Sequence, residues 1–129
     1  MSYLAVALGG AVGALLRWAL GEAVPDGTGF PWTTFAINVT GSLALALLPR
    51  SGQVRRHPTL AVALGPGLLG GYTTLSAYAE GTRALLDDGR TWTALAYLLG
   101  TLAACLVAVA LATRLYPHVV GEELVGGDE

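Results

Sequence analysis

Four long apolar runs separated by short polar turns constrain this chain of 129 residues more than any other feature of it. A bilayer core takes roughly 20 apolar helical residues per crossing. Within it every backbone polar group must be bonded internally, which makes helices the solution for runs of this length. The first run extends from about Ser2 to Val24 and stops at Pro25-Asp26-Gly27, a turn signal. The second follows Pro31, with Trp32 as an interfacial anchor, and reaches Leu48 before Pro49. The third covers Thr59 to about Leu86, and the fourth runs from Thr91 to about Tyr116, closed by Pro117. Charged residues make up 12% of the chain against 53% hydrophobic ones, and the mean hydropathy is +0.59. That is too little charge to cover a soluble globule, so the excess apolar surface faces lipid. The expectation is an all-α, multi-pass protein of the cell membrane. Residues 1–118 form its four-helix transmembrane domain, and 119–129 form an acidic, glycine-containing, disordered tail.

The apolar N-terminal run lacks a basic leader, and Arg17 interrupts it before any cleavage-like site, so it reads as a retained helix rather than a signal peptide. All seven basic residues are arginines, at the edges of the runs for the most part, and the near balance of 7 basic against 9 acidic residues argues against a nucleic-acid partner. Cys105 is the only cysteine, which rules out an intrachain disulfide and a CxxC metal site. His57 and His118 lie outside the runs beside prolines, and no nucleophile, base and acid set can be assembled, so the chain does not read as an enzyme. The linker from Pro49 to Pro58 carries Arg50, Arg55, Arg56 and His57 and belongs outside the membrane. Four helices of this size enclose little interior, so a water-filled pathway requires an oligomer. Gly9, Gly10, Gly13 and Ala14 on the first run, with Gly41 and Ser42 on the second, permit close backbone approach, either between chains or within one.

The third run contains Gly65-Pro66-Gly67 and then Gly70-Gly71-Tyr72-Thr73-Thr74, a composition that resists continuous helix. A broken helix is expected there, and unwound backbone at membrane depth marks a functional or structural ion site. Arg17 lies deep in the first run, where an unpaired cation costs at least ~2.5 kcal/mol. It either snorkels, five residues from Glu22, or lines an anion-attracting vestibule. Asn38 stands mid-span, where its amide serves an interhelical hydrogen bond or donates to an anion. Tyr97, Thr101 and Cys105 recur at i, i+4 and i+8, so two hydroxyls and a thiol share one face of the fourth helix. Such a stripe suits a dehydrating anion, although a threonine in a membrane helix also bonds its own backbone. Glu80, near Arg83, reads as a cap or an interfacial ion pair with a structural role.

Three stretches give these features a family likeness. Gly9-Gly10-Ala11-Val12-Gly13-Ala14-Leu15-Leu16-Arg17-Trp18, Asn38-Val39-Thr40-Gly41-Ser42, and Gly70-Gly71-Tyr72-Thr73-Thr74-Leu75-Ser76-Ala77-Tyr78 followed by Glu80 occur in that order and at matching spacing. In them the chain resembles the Fluc family of fluoride channels, also called the CrcB family, over nearly its whole length. The resemblance implies an antiparallel, dual-topology dimer with two fluoride pores and a structural sodium ion at the interface. The backbone carbonyls of Gly70 and Thr73 from each subunit would hold that ion. It also implies that Asn38, Tyr97 and Thr101 line the pore, with Cys105 in place of a usual hydroxyl. At two positions where the family has phenylalanines, whose ring edges can face a small anion, this chain has Leu75 and Tyr78. One aromatic station is lost, and the other keeps its ring and gains a hydroxyl.

The function implied is passive export of cytoplasmic fluoride. A second reading is a degenerate partner subunit that pairs with a paralogous chain. A third, an exporter of the four-span small multidrug type, needs a carboxylate in the first helix where this chain has Arg17. With four spans both termini share a side, which holds Arg50, Arg55, Arg56 and Arg114 against Arg83 and Arg90 opposite. That bias favours cytoplasmic termini and is small enough for some copies to insert inverted.

Overall fold

The computed structural model describes residues 2–115; the expected acidic tail lies outside them. Helix α1 spans Ser2–Ala23 and α2 spans Trp32–Leu47, continued by a 3-10 turn at Leu48–Arg50. The short α3, Gly52–Arg56, lies in the basic linker. The third span begins with α4, Pro58–Val62, passes through π-helical turns at Ala63–Leu69 and the single turn α5, Gly70–Tyr72, and resumes as α6, Leu75–Asp87. Helix α7, Thr91–Leu115, is the last of the described elements. Four helices among the described residues are long and apolar enough to cross a membrane, of 22, 19, 30 and 25 residues, the number that the hydropathy pattern predicts. At 1.5 Å per residue the shortest covers roughly 28 Å, close to the thickness of a hydrocarbon core.

Local chemistry explains where the helices start and stop. Asp26 accepts hydrogen bonds from the Thr33 and Thr34 amides (2.6 and 3.1 Å) and the Thr34 hydroxyl (2.7 Å). It thus caps the free N–H groups of α2, a role that the helix-adjacent Pro31 cannot perform. Pro58 opens α4 at a position where the missing N–H costs nothing. Pro66 sits inside the third span without an amide to donate, and the turns around it widen to the π form. Gly89, at φ +72°, supplies the left-handed residue that ends α6 and turns the chain into α7.

Two packing units position the site. Helix α1 lies against the π-helical turns and α5, while α2 and α6 lie against α7. The first contact is backbone on backbone. A methyl group at Gly9 would overlap the Ala63 carbonyl, and one at Gly13 the Leu68 carbonyl; from the other side, Gly71 faces Gly10 in the same way. The small residues of α1 therefore serve packing within the chain. The buried core is slight, with Leu85, Ala94 and Tyr97 at its centre and Phe30, Phe35 and Tyr78 packed around them. Large apolar side chains such as Leu4, Leu15, Trp18, Leu99 and Leu106 are exposed along α1 and α7, an inside-out distribution that fits lipid rather than water.

Candidate functional site

The helical backbone lapses at two residues. Thr73 and Thr74 are extended, with ψ 159° and 117°, between α5 and α6. In a continuous helix the Thr74 amide would donate to the Gly70 carbonyl and the Ala77 amide to the Thr73 carbonyl. Here the Thr74 amide donates to Asn38 Oδ1 (2.8 Å) and the Ala77 amide to Thr74 Oγ1 (3.1 Å), which caps α6. The Gly71 carbonyl, whose helical donor would be Leu75, accepts instead from Arg17 Nε (3.2 Å). The donors proper to the Gly70 and Thr73 carbonyls are thus engaged elsewhere.

Asn38 is the hinge of this arrangement. Besides accepting from the Thr74 amide, it donates through Nδ2 to the Thr74 carbonyl (3.1 Å), so one side chain satisfies both backbone groups of an extended residue. An amide nitrogen carries two protons, and the Thr74 carbonyl takes one of them. Asn38 also lines a cleft of about 230 Å³, together with Ser42, Thr73, Thr74, Leu75, Tyr78, Thr101, Leu102 and Cys105. Asn38, Leu75, Tyr78, Thr101 and Cys105, singled out in the sequence, therefore come together around one space. Thr101 is 3% exposed and its hydroxyl has no hydrogen-bond partner among the described residues. Leu75 is 78% exposed at the open side. The Tyr78 hydroxyl donates to the Leu98 carbonyl of α7, which pins its ring in the cleft wall.

Tyr97 sits apart from the stripe that its spacing describes. It is fully buried, edge-on to Phe30 at 5.3 Å and tilted against Tyr78 at 5.4 Å, with its hydroxyl towards Thr34 and no hydrogen bond of ordinary geometry. Arg17 belongs to the junction through Gly71. Glu80 pairs with Arg83 through both carboxylate oxygens (2.7 and 3.1 Å), and Arg83 also reaches Asp87; all three are exposed. Exposed pairs of this kind contribute little stability. Reasoning from sequence missed Thr74 as cap and as partner of Asn38, and it missed Ser42 and Leu102 as lining. Thr74 carried a signal, a threonine at the start of a helix after glycines; Leu102 carried none.

Among the described residues no three His, Cys, Asp or Glu side chains cluster, and the oxygens at this junction are backbone carbonyls, hydroxyls and the Asn38 amide. Carbonyl oxygens released from helical donors are hard ligands of the type that a hard cation takes.

Fold and site together define a small multi-pass membrane protein with a cleft of neutral hydrogen-bond donors beside extended backbone. Residues 4–113 match the family model described as CrcB-like protein, Camphor Resistance (CrcB), and the chain belongs to that family. It is 45% identical over 114 residues to the protein of Nocardia farcinica named fluoride-specific ion channel FluC 2, a match that covers 85% of this chain and 81% of that one. To the fluoride-specific ion channel FluC of Thermus thermophilus it is 41% identical over 128 residues, covering 92% and 98%. To fluoride-specific ion channel FluC 1 of Streptomyces coelicolor it is 46% identical over 111 residues, covering 83% and 71%.

Proposed function

We propose that this protein is a subunit of a fluoride-selective channel, not an enzyme, and that it exports cytoplasmic fluoride passively down its gradient, which lowers fluoride toxicity. The observation that carries the reading is the cleft itself. It gathers the Asn38 amide, the Ser42 and Thr101 hydroxyls and the Cys105 thiol at membrane depth, and its lining contains neither arginine nor lysine. A small anion gives up a tight hydration shell only to other donors. Neutral donors bind it weakly enough for it to leave again, as conduction demands. The names of the relatives support fluoride as that anion.

The cleft is open on one side, and extended backbone facing lipid would leave polar groups unsatisfied. The reading therefore includes a second copy that closes it, in an antiparallel dual-topology dimer, with the extended pair Thr73 and Thr74 as the break in the third span. Sodium would sit where the Gly70 and Thr73 carbonyls of the two copies meet and hold the junction together. The four-to-two arginine bias between the two sides is small enough for both insertions.

Leu75, exposed at the mouth of the cleft without a ring edge, favours a second reading, a partner subunit that conducts only when paired with a paralogous chain. The test is complementation. Expressed in a bacterium deleted for its own fluoride exporter, the chain alone should restore growth in fluoride medium. If growth returns only when a paralogous chain is expressed beside it, the heterodimer takes the place of the homodimer.

A further inference from the structure

We propose that the cleft at Asn38 is also a soft-metal site, in which mercury(II) bonds to the Cys105 thiol, holds a chloride against the Thr101 hydroxyl and closes the cleft to fluoride. The closure rests on the reading of the cleft as the ion path; the metal site does not.

Two independent observations meet there. Cys105 is the only cysteine of the chain, is partly exposed and lines the cleft. Thr101 lines the same cleft and is 3% exposed, yet its hydroxyl has no hydrogen-bond partner among the described residues. A threonine in a membrane helix ordinarily bonds the carbonyl three or four residues back, as Thr40, Thr82 and Thr113 do in this chain. Thr101 does not, and a buried hydroxyl without a partner carries a desolvation penalty that a ligand relieves. Thr101 and Cys105 stand one turn apart on one face of α7, about 6 Å along its axis, so a group bonded to the sulfur comes within reach of the hydroxyl. The cleft holds about 230 Å³, against roughly 10–15 Å³ for one water, which is room for a metal atom and one halide.

The chemistry of the lining selects the ligand class. No arginine, lysine or histidine stands among the described residues of the lining, so nothing beside the thiol favours its thiolate, the form that peroxides and alkylating agents attack. The chain has no second cysteine to resolve an oxidised sulfur as a disulfide. Hard divalent cations take carboxylate oxygens, and the described lining holds none. A soft metal needs none of these, because it displaces the proton from the sulfur itself. Mercuric chloride, being neutral, enters a neutral cleft without the desolvation cost of a bare cation. One Hg–Cl bond and the S–H bond break, an Hg–S bond forms, and chloride and a proton leave to water with no change of oxidation state. The retained chloride accepts from the Thr101 hydroxyl, and the adduct fills the space between α7 and the Asn38, Leu75 and Tyr78 side chains.

Intact-mass spectrometry and fluoride efflux from liposomes, run on one preparation of the full chain with and without mercuric chloride, test the site. One mercury should be added per chain, efflux should fall to the protein-free background, and excess 2-mercaptoethanol should reverse both. Cys105→Ser should take up no mercury, and its efflux with mercury should equal its own metal-free rate. Thr101→Val should still take up mercury but surrender it to about fivefold less glutathione, as the loss of one neutral hydrogen bond predicts. Mercury on Cys105→Ser, or one mercury bridging two chains, would overturn the site. Equal release to glutathione from Thr101→Val and the wild type would overturn the part given to Thr101. One mercury per chain with undiminished efflux would overturn the closure, and with it the cleft as ion path, while the mass still fixes the metal at Cys105. A preparation that conducts no fluoride at all would refute the channel reading instead, and the mass alone would then decide the metal site.

Discussion

Replacing Asn38 by aspartate separates its two roles, because the oxygen that accepts from the Thr74 amide survives while the donor to the Thr74 carbonyl is lost. On the structural side, one hydrogen bond disappears and a carboxylate oxygen faces a carbonyl oxygen. The loss of such a bond inside a membrane costs about 0.6 kcal/mol on average and up to ~1.7 kcal/mol. The unpaired carboxylate at mid-span adds about 2.5–3.5 kcal/mol less whatever the cleft's water and the remaining Thr74 bond recover, so the unfolding temperature should fall while the protein still folds. On the transport side, a carboxylate about 5 Å from an anion repels it by roughly 3 kcal/mol at an effective dielectric of about 20. At 1.4 kcal/mol per tenfold, that corresponds to a fall in fluoride flux of about a hundredfold. The assay pairs thermal unfolding in detergent with fluoride efflux from liposomes. A lower unfolding temperature with near-complete loss of flux is expected; a variant that conducts at the wild-type rate would remove Asn38 from the ion path and refute the reasoning.

Thr101→Val deletes an unpartnered hydroxyl from the cleft at nearly constant volume and should slow efflux with no loss of thermal stability; an unchanged rate would make Thr101 a packing residue. Gly13→Ala places a methyl group on the Leu68 carbonyl and should destabilise the fold by about 1–3 kcal/mol, read as a lower unfolding temperature, whereas Gly21→Ala, with open space around it, should not. Dimer assembly should require sodium, with choline substitution during purification yielding monomer by light scattering; a dimer indifferent to sodium would exclude the site at Gly70 and Thr73. Paired reporters on the C-terminus should give signal from both sides of the membrane if the chain pairs with itself, and from one side only if it depends on a paralogue.

The four crossings were legible because a bilayer admits few solutions for apolar runs of such length, and prolines and the Pro25-Asp26-Gly27 turn mark their ends. Composition marked Gly65 to Thr74 as a poor former of α-helix, but it did not show that the stretch would stay helical, in π and α turns, as far as Tyr72 and turn extended only at Thr73 and Thr74. That Asn38 would take up both backbone groups of Thr74 depends on which donors come free when the helix lapses, a question of three-dimensional placement between segments 36 residues apart. The glycines of α1 were equally ambiguous in sequence, since close packing within a chain and between chains selects the same residue type, and only the facing carbonyls of Ala63 and Leu68 decide it. Periodicity placed Tyr97 with Thr101 and Cys105 on one face of α7, but a face is wider than a cleft. The Phe30 ring, brought in by the loop before α2, buries Tyr97 away from it.

Fluoride efflux from liposomes that contain only this purified chain tests the central claim most directly. With a potassium ionophore present to dissipate the membrane potential, a fluoride electrode should record rapid passive release, with chloride retained in parallel vesicles. No release above protein-free liposomes, from a preparation that is folded and dimeric, would contradict the account of a self-sufficient fluoride channel.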